Sequence, residues 1–167
     1  SIQERNYEID DLLVSTAWIL KNINNENLII LDLDSREEYL SSHIPGSLNV
    51  IDNYYKTSLE DRTHVQNPDQ ITKTFSDLGI SSDSVVVGYD RSACLYSFRL
   101  AWVLKYYGHS NVKVLDGGFP KWDFEGKDKE SGDNPPENRG NFIPKKPFNE
   151  IFANRDELLE ILEKNKD

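Results

Sequence analysis

The residues best suited to chemistry in this chain lie in one short stretch, Asp90-Arg91-Ser92-Ala93-Cys94-Leu95. It follows the apolar run Val85-Val86-Val87-Gly88-Tyr89 and leads into an amphipathic segment from about Tyr96 to Tyr107, closed by Gly108. Strand, loop and helix in that order place the loop at a helix N-terminus, where unpaired backbone N–H groups and the helix dipole favour an anion. Cys94 offers one reading, because a loop thiol near a helix start is open to activation as a thiolate nucleophile. The plainer reading of Cys94 is a small packed hydrophobe. Asp90 enjoys the same electrostatics, but a carboxylate cannot act as a sulfur nucleophile.

Other chemistries are thinly supplied. Cys94 is the single cysteine, which excludes an intramolecular disulfide and any multi-thiolate metal site. His43, His64 and His109 are scattered without ligand spacing, so neither a metal nor a cofactor is called for. His43 is expected to serve as a structural hydrogen-bonding residue and Trp122 as a core plug.

The composition describes the frame that must position the loop. A length of 167 residues allows one sizeable core but not two ordinary domains. Hydrophobic residues make up 37% and aromatics 11%, too much apolar surface for a disordered chain. No apolar run approaches the roughly 18 residues of a membrane span, and no secretory signal opens the chain. A net charge of −10 argues against a nucleic-acid partner; Lys145-Lys146 is too short a basic cluster to count. A soluble protein of a reducing, cytoplasmic compartment is expected. The chain has no Met, even at position 1, which suggests a trimmed or engineered start.

The pattern along the chain alternates. Ser15 is a good N-cap for a helix running to about Asn22. Leu28-Ile29-Ile30-Leu31-Asp32, apolar on both faces and ending in a carboxylate, reads as a central parallel strand. Ser35 and Glu38 are spaced as a capping box for a short helix. His43-Ile44-Pro45-Gly46 is a turn and Ser47–Val50 a short extended piece. Asn67 and Pro68 start another helix that Gly79 ends. Val112–Leu115 is a further strand, and Gly117-Gly118 turns into a helix containing Trp122. Such alternation indicates a parallel sheet with helices packed on it. Residues 127–149 hold four of the seven prolines, at positions 135, 136, 144 and 147, and little periodicity. They read as a linker or wrapping arm rather than core, and so as a boundary. After it, Ala153–Leu159 weakly echoes the cap-then-helix layout of Val14–Leu20.

Asp32-Leu33-Asp34-Ser35-Arg36-Glu37-Glu38-Tyr39-Leu40-Ser41-Ser42-His43-Ile44-Pro45-Gly46-Ser47 resembles the first signature of the rhodanese family. Asn111-Val112-Lys113-Val114-Leu115-Asp116-Gly117-Gly118-Phe119-Pro120-Lys121-Trp122, with Gly126 after it, resembles the second. The resemblance covers about residues 12 to 126. It implies an α/β fold with a five-stranded, mostly parallel sheet and helices on both faces.

In rhodaneses a Cys opens the loop after the fourth strand. Its thiolate, held by backbone N–H groups, takes sulfur from a donor as a persulfide and passes it to a thiophilic acceptor. Asp90 stands at that position here. The pattern is similar to the N-terminal domain of tandem thiosulfate and 3-mercaptopyruvate sulfurtransferases, whose catalytic Cys lies in the second domain. Tyr89-Asp90, Arg99, Trp102, Tyr107 to His109 and Ser15-Thr16-x-Trp18 all agree with that group.

The resemblance therefore implies a rhodanese-like domain over 1–126, a Pro-rich linker over 127–149 and the start of a second, truncated domain over 150–167. The implied partner is the catalytic domain of the same chain, with a small sulfur donor in the parent enzyme. Leu95 and Tyr96 are the candidates to face the interdomain cleft, and Arg91 offers one positive charge to an anionic donor. In two respects the chain departs from the pattern. Asp34 stands where Arg is usual, with Arg36 shifted, so any carboxylate pairing must be made differently; and Cys94 is fifth in the loop rather than first. Two rivals stay open, an active single domain using Cys94 and a stand-alone pseudoenzyme acting as a binding or regulatory module.

Overall fold

A computed structural model describes residues 12–51 and 65–145. Five strands form one sheet: β1 (Leu13–Val14), β2 (Leu28–Asp32), β3 (Leu48–Asn49), β4 (Val85–Tyr89) and β5 (Val112–Leu115). Their order across the sheet is β1-β5-β4-β2-β3, and every neighbouring pair is parallel. The sheet is thus wholly parallel rather than mostly so. Five helices connect and cover it: α1 (Thr16–Asn22), α2 (Arg36–Ser41), α3 (Pro68–Asp77), α4 (Leu95–Tyr106) and α5 (Gly118–Phe124).

Side-chain alternation along the central strands builds two cores. Leu31, Val86, Val112 and Val114 pack with Ile71 and Phe75 of α3 and Leu100, Val103 and Leu104 of α4. Ile30, Val87, Tyr89 and Leu115 pack on the other face with Ile19 of α1 and Phe119 and Trp122 of α5. Both faces are covered, which is why the strands read as continuous apolar runs.

The helix starts obey local rules. The Ser15 hydroxyl accepts from the Trp18 N–H, and Ser35–Glu38 and Asn67–Gln70 are reciprocal capping boxes. Pro68 occupies the first turn of α3.

The chain departs from the expected layout at two points. The segment after Gly126, expected to be outside the core, wraps the domain as far as residue 145 and contributes to its interior. Phe142 is buried and meets the Phe75 ring edge-on at 5.1 Å between centroids. Main-chain bonds tie the segment down, Gly140 N to Ser76 O at 2.7 Å and Lys145 N to Tyr107 O at 2.9 Å, and His43 and Glu130 exchange N–H···O bonds of 2.8 and 2.9 Å. His43 is wholly buried, its Nδ1 at 2.8 Å from the Tyr39 carbonyl and its Nε2 at 3.1 Å from Asn134 Nδ2. The ring therefore donates from Nδ1 and accepts at Nε2, a structural role in which it holds the arm. Secondly, α4 begins at Leu95, one residue before the expected start. The second-domain start at 150–167 and His64 lie outside the described residues.

Candidate functional site

β2 and β4 are adjacent and in register, with Asp32 opposite Tyr89, so the chain segments leaving their carboxyl ends lie side by side. That end of a parallel sheet is where α/β proteins place their sites. The loop leaving β4 is unusual. Ala93 and Cys94 have φ of 54° and 65°, left-handed backbone that costs L-residues about 1–2 kcal/mol each. The loop turns the Ser92 and Cys94 N–H groups inward, and Asp90 receives them.

The Asp90 carboxylate is buried and accepts four hydrogen bonds. Oδ1 accepts from the Ser92 N–H at 2.8 Å and the Cys94 N–H at 2.9 Å. Oδ2 accepts from the Ser97 N–H at 2.8 Å and the Ser97 hydroxyl at 2.5 Å. Ser97 is the third residue of α4, whose own N-cap, Cys94, makes no side-chain capping bond. Asp90 therefore caps α4 from the strand end, satisfying donors that the helix leaves open and lying at the positive end of its dipole. The loop is an anion cradle, and its anion is a side chain of the loop itself.

Cys94 faces inward, away from any reagent. The residue is 9% exposed, and Sγ–H donates to the Leu115 carbonyl at 3.4 Å. Burial, and then the nearby Asp90 charge, push its pKa above the ordinary thiol value. Both causes oppose the thiolate and outweigh the Gly117 and Gly118 backbone N–H groups that favour it, so the thiol form is kept.

Arg91 is committed to the protein rather than offered to a ligand, which corrects its expected role as a free positive charge. Its Nη1 meets Asp34 Oδ2 at 2.5 Å, its Nη2 donates to the Ser42 carbonyl at 2.5 Å, and its main-chain N–H donates to Asp34 Oδ1 at 2.9 Å. The guanidinium lies 3.8 Å from the centroid of the Phe119 ring. Arg91 thus supplies the partner that the shifted Arg36 does not; Arg36 pairs with Asp133 at 2.5 Å.

Beneath the loop, Asp32 is fully buried. Its Oδ1 accepts from the Asp34 N–H at 2.8 Å, while Oδ2 makes no hydrogen bond and stands 3.6 Å from Arg91 Nη1. Burial pushes its pKa up to about 6. Asp34 is raised too, by burial first, against the opposing bonds from Arg91.

The Gly117-Gly118 turn closes the site from below. A Cβ on Gly118 would lie 2.2 Å from the Asp90 carbonyl oxygen, which accepts from the Phe119 N–H at 3.1 Å, and its φ is +56°. Only glycine allows this approach. Beside the loop runs a groove of about 370 Å³ lined by Glu37, Glu38, Ser41, Ser42, Arg91, Phe119, Asp123 and Lys129. Lys129 is held by Asp123 and Arg91 by Asp34, so both cations of the wall are paired while Glu37 and Glu38 add two carboxylates. Leu95 (65% exposed), Tyr96 (37%) and Phe98 (45%) stand at the outer face where α4 begins. Among the described residues no three His, Cys, Asp or Glu side chains are grouped as a metal would need.

The structure brings all six predicted loop residues together but divides their work. Asp90 and Cys94 point inward, Arg91 turns toward β2, and Ser92, Ala93 and Leu95 face outward. Ser97 and the pair Asp32–Asp34 escaped sequence reasoning as members of the site. Two carboxylates at a strand end with a single nearby Arg were the available signal, but Ser97, seven positions beyond Asp90, had none.

Residues 15–125 match the family profile of the rhodanese-like domain. A protein of Saccharopolyspora erythraea provisionally named a thiosulfate sulfurtransferase is 30% identical over 156 residues, covering 92% of this chain and 54% of the relative. A protein of Mycolicibacterium smegmatis with the same provisional name is 31% identical over 152 residues, covering 89% and 53%. The crystal structure of a 3-mercaptopyruvate sulfotransferase from Escherichia coli superposes with a TM-score of 0.77 at 22% identity, covering 91% of this chain and 63% of that one, a likeness of fold. The chain spans about half the length of the curated relatives it matches.

Proposed function

Because the chain belongs to the rhodanese-like domain family, we propose that it is the non-catalytic N-terminal half of a two-domain sulfurtransferase. In that parent enzyme a Cys of the second domain takes sulfane sulfur from thiosulfate or 3-mercaptopyruvate as a persulfide and hands it to a thiophilic acceptor. One observation carries this reading: the cradle that would hold a catalytic sulfur is filled by the Asp90 carboxylate, whose two oxygens accept four hydrogen bonds. A carboxylate so engaged can neither attack a sulfur donor nor leave the cradle open to one.

Three further facts support it. The inward, burial-raised Cys94 is a poor substitute nucleophile. The carboxylate-lined groove disfavours an anionic donor. The curated relatives are about twice as long, which leaves room for a second domain. The exposed Leu95, Tyr96 and Phe98 then form the wall this half presents to the catalytic cleft, and the domain boundary falls beyond residue 126, because the arm to residue 145 packs as part of this half.

The test is sulfur transfer by the purified chain from thiosulfate to cyanide. Background activity is expected, with full activity when the chain is joined to a second domain bearing Cys after its fourth strand. Turnover by the chain alone that Cys94→Ser abolishes would overturn the reading.

A further inference from the structure

We propose that Asp32, Asp34 and Arg91 form a proton-operated latch, which holds the 90–94 loop against β2 while the carboxylate pair keeps one proton and loosens it when that proton leaves. The latch acts on this chain's own loop and is independent of the sulfurtransferase reading.

The charges set the problem. Two carboxylates, both from residues less than a tenth exposed, share one guanidinium. Fully ionised, the cluster would hold one uncompensated negative charge away from water. A single proton makes it neutral, as in other close carboxylate pairs. The geometry says where that proton belongs. Arg91 is bonded to Asp34 through both Nη1 and its main-chain N–H, whereas Asp32 Oδ2 has no hydrogen bond and only a longer approach to Nη1 at 3.6 Å. Among the described residues, β4 brings the Tyr89 hydroxyl to the pair, the turn after β2 brings Asp34, α2 brings Tyr39 and, near Asp34, Glu38, and the loop brings the Arg91 cation; Tyr89 and Arg91 favour the charged carboxylates, and burial opposes them.

The mechanical link is Arg91. Its guanidinium ties Asp34 to the Ser42 carbonyl at the end of α2, and its backbone N–H ties the loop itself to Asp34. Asp32 is sealed, but Arg91 is only half-buried, so a second negative charge is relieved by shifting the guanidinium from Asp34 toward Asp32 and admitting water, rather than by exposing the aspartate. When Asp32 ionises, Nη1 is drawn off Asp34, and the bonds to Ser42 and to the loop backbone weaken with it.

Carboxyl ¹³C NMR titration of the full 167-residue chain, with amide exchange at Arg91, Ser92 and Cys94, tests the latch. One carboxyl of the pair is expected to titrate well above the ordinary value of about 3.9. Across that midpoint the opening of the three amides, corrected for intrinsic exchange, should rise about tenfold, with β5 amides unchanged. Asp32→Asn should remove the step. Asp34→Asn, which leaves Arg91 to Asp32 alone, should lower the Asp32 midpoint relative to the natural chain and keeps the test decisive should Asp32→Asn fail to fold. Both carboxyls titrating at or below about 3.9 in the natural chain, a step that survives Asp32→Asn, or amides that open equally on both sides of the midpoint would each overturn the latch.

Discussion

Replacing Asp90 by Ala should destabilise the domain by about 2–4 kcal/mol. The figure follows from the donors left behind. Four hydrogen bonds end on this carboxylate. Ser92 is exposed, so its N–H recovers water at little cost. Cys94 and Ser97 are buried, and each stranded N–H costs about 1–3 kcal/mol. Relief of the carboxylate's own desolvation offsets part of the sum, while loss of support for the left-handed Ala93 and Cys94 adds to it. For a domain of this size the change lowers Tm by roughly 5–15 °C. Urea and thermal denaturation followed by circular dichroism would measure it. Asp90→Asn should fare little better, because the amide nitrogen turns a donor toward the Ser97 N–H or the Cys94 N–H. The vacated cradle in Asp90→Ala should also take formate, raising Tm in the variant and leaving the natural chain unmoved. A loss under about 1 kcal/mol in Asp90→Ala, with Asp90→Asn close to the natural chain, would refute the view that the loop is organised around this anion.

Other substitutions probe the remaining supports. Asp90→Cys should alkylate readily with small reagents, since the cradle favours a thiolate, yet leave sulfur transfer from thiosulfate at background; turnover like that of a working rhodanese would contradict this. Asp32→Asn should stabilise the domain at neutral pH. Burial raises the folded-state pKa of Asp32 to about 6, above the ordinary Asp value of about 3.9, so the natural chain loses stability as pH rises through that window, by up to about 3 kcal/mol, and denaturation midpoints of the variant should lack that fall. Phe142→Ala should cost about 3–5 kcal/mol in urea denaturation, a core-sized loss for a residue in a Pro-rich arm. Gly118→Ala should disturb the loop itself, because the added methyl meets a backbone carbonyl that cannot rotate away, and shifted amide resonances at Asp90–Cys94 would report it.

The sequence by itself determined the elements and their alternation. Helix caps at Ser15, Ser35 and Asn67 are local chemistry, written within four residues, and they form as read. The apolar runs 28–32 and 85–89 identified buried parallel strands because a strand covered on both faces must be apolar throughout. Asp90 at a helix entrance was legible for the same reason, since strand end, loop and helix start are contiguous. What the tertiary structure decided are the meetings between residues far apart in the chain. Arg91 finds Asp34 across 57 positions, and that pairing converts an apparent ligand charge into an internal one. Phe142 becomes core because the arm returns to α3, where Ser76 holds its backbone, while the polar and proline residues around it carry no periodic signal of burial. Cys94 shows the same division within a single side chain. Its place in a loop before a helix is sequence, but its direction is set by two left-handed residues and by the Leu115 carbonyl that its thiol meets, and the burial that results raises its pKa against the Gly117 and Gly118 backbone N–H groups.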